Sequence, residues 1–213
     1  MLTSKEYREL DKKALRLRLD YDLLDDGLDM NELARKTSVT LVPYSSLPKE
    51  AQAFIKEKRE KLNDGFYIKR NTDAFPMIFY NDRVEPQVRI RFTLAHEFKH
   101  FVFDDRNGDR DEEAANHFAR QLLIPTCLVM MYLRSGYETW DLSFRFDVSL
   151  QVAENACAHA KNRMVRRGDS LEDYETEFMK VYCRKQYSVD FKCFKAKEEI
   201  SCETKDRFIQ NKK

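Results

Sequence analysis

The chain has 213 residues, enough for one large domain or for one domain with an extension. Charged residues make up 35% of it, whereas glycine and proline occur only five times each, which favours a mainly helical protein over a loop-rich β-sandwich. The net charge of +1 lacks the basic excess of a typical nucleic-acid-binding protein. Because the sequence shows no membrane-spanning stretch and no signal peptide, we expect a cytoplasmic protein whose five cysteines are reduced.

The first half of the chain is predicted to alternate between helices and short strands. Apolar side chains recur at steps of three and four in the N-terminal segment, as on one face of a helix. This face could pack on the body of the protein or on a partner; we expect packing on the body, because the pattern is too short for a coiled coil. The predicted elements are a helix within residues 1–27, a helix from about Asp29, a strand at 39–42, a charged helix at 48–62, and strands at 66–68 and Met77–Tyr80 that form a hairpin.

The second half is predicted to consist of helices. These cover residues 86–103, 110–123, 125–134, 140–146, 149–166 and 171–184. The turn-forming segment 107–109 separates the first two of them, and Pro125 ends the second. No structure is assigned to the charged segment 186–213. Together these elements predict an α+β, mainly helical fold.

A metal-binding motif, His96-Glu97-x-x-His100, falls within the helix predicted at 86–103. Since each helical residue turns by about 100°, the two histidines lie within about 40° of each other and could chelate one cation. Glu97 lies beside them, close enough to act on a water near that cation without binding it. Apolar residues occupy the opposite arc, so one face can pack on a core while the other opens to a cleft. The alternative is a pair of surface histidines on an amphipathic helix.

A catalytic zinc site normally has three protein ligands and an open position for water. Glu112 and Glu113 follow the motif after a short loop, at the start of the next predicted helix. If that helix runs antiparallel to the first, a carboxylate returns toward the histidines. Glu112 could instead be a capping residue, since Asp109 and Glu112 have capping-box spacing. Spacing alone does not choose between Glu112 and Glu113 as the third ligand.

Two segments of the chain resemble a known family. Residues 91–100 read RFTLAHEFKH, and residues 112–125 read EEAANHFARQLLIP. They are similar to the ImmA/IrrE family of metallo-endopeptidases, whose pattern is His-Glu-x-x-His, then Glu-x-x-Ala-Asn-x-Phe-Ala, then Leu-Leu-x-Pro. The resemblance covers about residues 28–165 and implies that Glu112 is the third metal ligand. Lys99 stands where many members have glycine; we expect its side chain to point away from the metal and to be tolerated.

The resemblance also implies a zincin-like domain, in which a small three-stranded sheet packs on the metal-binding helices. We expect an N-terminal helix at residues 1–27, the zincin-like metallopeptidase domain at 28–135, a helical subdomain at 136–168, and a C-terminal helix with a charged tail at 169–213. Met77–Tyr80 could be a sheet edge that binds an extended substrate, or it could be an internal core strand. The sequence leaves both interpretations open.

Two histidines and one carboxylate suit zinc best, although manganese or iron could occupy such a site. The predicted reaction is hydrolysis of a peptide bond by a metal-activated water, with Glu97 as the general base. Tyr80, His117 and Tyr132 are candidates for an additional contact to the oxyanion or substrate. For His117 the alternative is a structural helix residue one turn from Glu113.

The resemblance further implies a protein substrate, a helix-turn-helix repressor of a mobile element, a prophage or a stress response. The alternative function is a non-catalytic zincin-like module that binds a repressor or DNA. Residues 142–166 could resemble a helix-turn-helix, with Ser149 as the N-cap. Four cations cluster at the end of this segment, namely Lys161, Arg163, Arg166 and Arg167. They could equally be cations favoured by the helix dipole, and the near-zero net charge argues against direct DNA contact.

Overall fold

The computed structural model describes residues 2–57, 64–68, 76–103, 109–189 and 191. Nine helices and three strands lie within these residues. The helices are α1 (Ser4–Asp20), α2 (Met30–Lys36), α3 (Lys49–Glu57), α4 (Gln87–Phe103), α5 (Asp109–Leu123), α6 (Thr126–Arg134), α7 (Thr139–Phe146), α8 (Leu150–Arg167) and α9 (Asp173–Tyr187). The strands are β1 (Thr40–Pro43), β2 (Gly65–Ile68) and β3 (Met77–Tyr80). The predicted α+β, mainly helical fold is confirmed.

Short polar side chains begin two of the helices where the sequence predicted them. Asp29 accepts hydrogen bonds from the backbone N–H groups of Asn31 and Glu32 and begins α2. Ser149 accepts a hydrogen bond from the backbone N–H of Val152 and begins α8. Both caps satisfy donors that have no acceptor inside the helix. The caps therefore determine where these helices start.

The three strands form one mixed sheet in the order β1-β3-β2. β1 runs parallel to β3, whereas β2 runs antiparallel to it, with Phe66 opposite Phe79. Met77–Tyr80 is therefore the central strand, and its interpretation as a sheet edge is wrong. Its backbone groups pair with a strand on each side, which leaves them unavailable to a substrate. Within the described residues, β1 and β2 are the two edges of the sheet.

Parts of some predicted elements fall outside the described residues. The helix predicted at 48–62 is observed as Lys49–Glu57, and residues 58–63 are not described. The pairing of β2 with β3 agrees with the predicted hairpin, but the loop at 69–75 is not described. The same holds for most of the charged C-terminal segment, residues 192–213.

Helix α4 lies between the sheet and α5. On one side β2 and β3 pack against it, and Gly65 comes so close that a Cβ atom there would lie 2.7 Å from an α4 side chain. On the other side α5 runs antiparallel to α4, since His100 lies beside Asp111 while His96 lies beside Asn116. The predicted packing of a small sheet on the metal-binding helices is confirmed.

Helix α1 packs on α5 and α9 with its apolar face, as the sequence predicted. Ala14 on this face is fully buried. Arg18 is fully buried as well, and its guanidinium donates hydrogen bonds to the backbone carbonyls of Leu23, Leu122 and Asp25. Because Leu122 belongs to α5, this arginine ties the N-terminal helix to the helix that carries Glu112.

One hydrophobic core cluster includes side chains from every described helix except α3. The division of the chain at residues 27, 135 and 168 stays a prediction. Among the described ranges, every helix is too short or too polar to cross a lipid bilayer.

Candidate metal centre

The two histidines of the motif lie one turn apart on α4. Their ring centroids are 5.6 Å apart, and the ring planes are tilted by 56°. The opposite side of the helix is anchored in the core, where Leu94 and Phe98 are buried. As predicted, an apolar arc holds α4 in place and leaves the histidine face for ligands.

Glu112 of α5 completes a group of three side chains that could hold a metal ion. One ligand atom from each of His96, His100 and Glu112 lies within 4.8 Å of the other two. His96 Nε2 is 3.4 Å from Glu112 Oε2, close to the ~3.3 Å expected between two ligand atoms of a tetrahedral zinc site. The Glu112 side chain is 66% exposed, so it can rotate toward an ion. Two imidazoles and a carboxylate form a donor set that suits zinc.

Glu113 turns toward α1 instead of the histidines. The Tyr7 hydroxyl donates a hydrogen bond of 2.6 Å to Glu113 Oε1. This hydrogen bond lowers the pKa of Glu113 and holds its carboxylate against the N-terminal helix. Of the two glutamates that the spacing left open, the structure places Glu112 beside the two imidazoles.

Side chains of α5 orient both imidazoles. His96 Nδ1 lies 3.0 Å from Asn116 Oδ1; because an amide oxygen can only accept, Nδ1 carries the proton and donates. His100 Nδ1 lies 3.5 Å from Asp111 Oδ2. Both contacts direct the Nε2 atom of the ring toward the metal position. The sequence did not indicate either role, although Asn116 belongs to the matched family pattern and Asp111 directly precedes Glu112.

Lys99 lies in the interface between α4 and α5. Its side chain is 2% exposed, and its ammonium group forms an ion pair with Asp111, the residue that approaches His100. The same ammonium group lies 5.8 Å from the centre of the Phe103 ring. The sequence predicted a side chain directed away from the metal. The structure shows in addition that the long lysine stem extends across the interface to the Asp111 carboxylate, which the sequence did not indicate.

Glu97 lies on the sheet side of α4 and is only 8% exposed. Gly65 of β2 faces it, and a Cβ atom at this glycine would lie 3.5 Å from Glu97 Cγ. Burial raises the pKa of Tyr44, at the end of β1, and the negative charges of Glu97 and Asp64 raise it further. Tyr44 thus lies within electrostatic reach of the candidate base. The sequence did not indicate it, because it lies far from the motif in a short turn after a strand.

Tyr80 remains a candidate for the substrate contact. It is half-buried on β3 and lies opposite Gly65 in the strand register. Burial, and then the negative charge of Asp82, raise the pKa of the Tyr80 phenol, so its hydroxyl stays protonated at neutral pH. Its neighbour Gly65 faces Glu97, which places Tyr80 on the side of the sheet where the candidate base lies.

His117 is buried and engaged away from the metal centre. Its Nε2 atom lies 2.6 Å from Asp11 Oδ1, and its Nδ1 atom lies 2.8 Å from Arg120. The structure therefore does not support its contact with a substrate. The alternative, a structural helix residue, fits better, but its partners are Asp11 and Arg120 instead of Glu113.

Tyr132 is also engaged elsewhere. It is 2% exposed, and its hydroxyl forms hydrogen bonds with Asp26, Tyr182 and Tyr187. This network joins α6 to α9. Its predicted contact with a substrate is therefore not supported either. From the sequence alone, a tyrosine in an apolar helix can equally belong to a buried hydrogen-bond network or act as a donor in an active site.

A family model matches a little more than half of the chain. The model is that of the M78 peptidases, described as an IrrE N-terminal-like domain, and it matches residues 49–158. No curated protein and no solved structure matches the chain. The matched span contains both histidines of the motif, Glu97 and Glu112, and thus the whole candidate metal centre.

Proposed function

Because the chain belongs to the IrrE N-terminal-like family of M78 peptidases, we propose that it is a zinc-dependent endopeptidase. The observation that carries this proposal is the convergence of His96, His100 and Glu112, whose ligand atoms lie within 4.8 Å of one another. Glu97 supplies a carboxylate next to this group in the sequence and on the same helix. The family supports metallopeptidase chemistry in general, and the donor set favours zinc over manganese or iron.

Each residue of the centre has a defined task in this reaction. When bound, a zinc ion at His96, His100 and Glu112 would lower the pKa of water and polarise the scissile carbonyl. Glu97 accepts a proton from the attacking water and delivers it to the leaving amine. Tyr80 is a phenol on this side of the sheet that could donate a hydrogen bond to the developing oxyanion.

The substrate would lie as an extended chain along β2. This strand is an edge of the sheet within the described residues, and it packs on α4. Gly65, at its start, faces Glu97. A polypeptide paired with β2 would thus pass the candidate base. Pairing through the backbone does not recognise side chains, so selectivity would come from contacts elsewhere.

We take the substrate to be a helix-turn-helix repressor. The resemblance to the ImmA/IrrE family supports this class, and the requirement for an extended chain points to a linker or loop of that repressor. The regulated genes would belong to a mobile element, a prophage or a stress response.

The test compares the zinc-loaded protein with its Glu97→Gln variant. Each is incubated with the helix-turn-helix protein encoded beside its gene and with casein as an unfolded general substrate, and the products are identified by mass spectrometry. We expect the variant to bind as much zinc as the wild type and to cleave at least about 100-fold more slowly, because it lacks the general base.

Glu113→Gln is the matched control, since it removes one carboxylate from the neighbouring helix without touching the motif. It should cleave like the wild type. Equal cleavage by the wild type and by Glu97→Gln would overturn the catalytic assignment. Tight binding of the repressor without any cleavage by the wild type would support the non-catalytic alternative instead.

A further inference from the structure

A cavity of about 420 Å³ lies between α1, α5, α8 and the start of α9. Its walls are formed by residues other than those of the metal centre. Its volume falls within the range of about 300–1,000 Å³ that is usual for small-molecule sites. The four helices enclose it on several sides, which distinguishes it from a flat surface patch.

The cavity is strongly basic. Five arginines line it, namely Arg8, Arg120, Arg163, Arg166 and Arg167. Among the described residues, two carboxylates line it with them, those of Asp11 and Glu172. In a chain whose net charge is +1, this is a marked local concentration of positive charge. Three of these arginines belong to the cation cluster at the end of α8. The cluster therefore lines a cavity as well as lying at the end of a helix.

Two of the five arginines are neutralised by carboxylates. Arg163 forms an ion pair with Glu175, and Arg167 forms one with Glu172. The other three have no carboxylate within ion-pair distance among the residues that the structure describes. The cavity therefore offers unpaired guanidinium groups to an incoming anion.

Arg120 is held in place by two buried side chains. His117 Nδ1 accepts a hydrogen bond from Arg120, while His117 Nε2 donates one to Asp11 Oδ1. His117 and Asp11 are 4% and 9% exposed. Because Nδ1 accepts, the imidazole is neutral and adds no charge of its own. Burial lowers the pKa of the Arg120 guanidinium, so an anion beside it would relieve an unfavourable desolvation.

We propose that this cavity binds a small phosphorylated anion through Arg8, Arg120 and Arg166. Planar guanidinium groups match phosphoryl oxygens with paired hydrogen bonds, and several of them converge here. Tyr7 and Tyr174 also line the cavity and present aromatic rings to the remainder of the ligand. A nucleoside phosphate would use both features, whereas inorganic phosphate would use the arginines alone. A DNA duplex, whose major groove alone is about 12 Å wide, does not fit into an enclosure of this size.

The test measures binding to the zinc-loaded full chain by isothermal titration calorimetry. The probes are adenosine monophosphate, ribose 5-phosphate and inorganic phosphate. We expect saturable binding with a dissociation constant of ~1 mM or tighter for at least one probe. Tighter binding of the nucleotide than of the other two would identify a nucleoside phosphate as the ligand. Equal binding of all three would show that the phosphoryl group alone is recognised.

Two exposed cations of α8 provide the matched pair of variants. Arg166 lines the cavity, whereas Lys161 does not, and both are exposed, so neither substitution should impair folding. Arg166→Gln should weaken binding about tenfold, since it removes a charge-assisted hydrogen bond. Lys161→Gln should change binding less than about twofold, since only long-range charge is lost.

Three results would overturn the proposal. The first is that no probe shows saturable binding to the wild type. The second is equal weakening by both variants, which would indicate non-specific attraction of anions. The third is that duplex DNA binds more tightly than every probe and that Arg166→Gln weakens this binding, which would indicate a nucleic-acid surface. All three can occur while the peptidase activity is intact, so they do not bear on the metal centre.

Discussion

At the scale of single residues, α5 determines how both histidines of α4 are presented. The amide of Asn116 accepts from His96 Nδ1 at 3.0 Å, and the carboxylate of Asp111 approaches His100 Nδ1. These contacts leave the Nε2 atoms for a metal. Metal affinity should therefore depend on side chains that do not touch the metal.

Replacing Asn116 by alanine tests this dependence. Asn116→Ala removes the acceptor that fixes the His96 tautomer, so zinc affinity should fall about 10- to 100-fold. Competition with a chelating dye measures the affinity. Asn116 is exposed, so the fold should be unaffected and the melting temperature of the metal-free protein should stay the same. An unchanged zinc affinity would show that the hydrogen bond is not needed.

The residues of the site differ in how far the sequence predicts them. His96, Glu97 and His100 are predictable because one helical turn sets their spacing, and that is a local property. The choice between Glu112 and Glu113 needs the rotation of α5 relative to α4, which spacing alone does not contain. Tyr44 depends on tertiary packing altogether, since a strand end far from the motif brings it near Glu97.

At the scale of elements, β2 lies against α4 beside the site with little space between them. A Cβ atom at Gly65 would lie 2.7 Å from Thr93 Cγ2 and 2.9 Å from the backbone oxygen of Phe79. The second contact is with backbone, which cannot rotate away as a side chain can. Glycine is therefore required for β2 to lie against both β3 and the helix that carries Glu97.

Gly65→Ala should force β2 away from α4 and lower the free energy of unfolding by about 1–3 kcal/mol. Urea denaturation of the full chain measures this loss. Gly27→Ala is the control, because a Cβ atom there would lie 3.7 Å from Arg145 O, an ordinary contact. It should change stability by no more than about 0.5 kcal/mol. Similar effects of the two substitutions would contradict the close approach.

The order of the strands also shows a limit of sequence patterns. The sequence predicts Met77–Tyr80 as a strand, because its composition and its bounding residues are typical of one. Whether such a short apolar strand is central or at an edge depends on which neighbours pair with it. β1 joins β3 from far upstream as a parallel partner, and no local pattern predicts that pairing.

At the scale of the whole molecule, Arg18 joins the N-terminal helix to the helices of the site. Its buried guanidinium donates to three backbone carbonyls, including that of Leu122 in α5. The sequence predicted that α1 packs on the body from its apolar periodicity. It did not indicate the buried arginine, since charged residues on a helix are usually solvated.

Arg18→Met should lower the free energy of unfolding by about 3–5 kcal/mol, because three buried carbonyls lose a charged donor. Arg16→Met is the control on the same helix. The Arg16 side chain is 58% exposed, so its loss should cost less than about 0.5 kcal/mol. Chemical denaturation of both variants gives the comparison, and equal losses would contradict a structural role for Arg18.

The most direct test of the metal centre is the zinc affinity of two neighbouring variants, Glu112→Gln and Glu113→Gln, measured by isothermal titration calorimetry. The wild type should bind one zinc ion per chain. Glu112→Gln should bind it at least about 100-fold more weakly, because it removes a carboxylate ligand, while Glu113→Gln should bind it like the wild type. Equal affinity of the two variants, or a stronger loss in Glu113→Gln, would contradict the assignment of Glu112 as the third ligand.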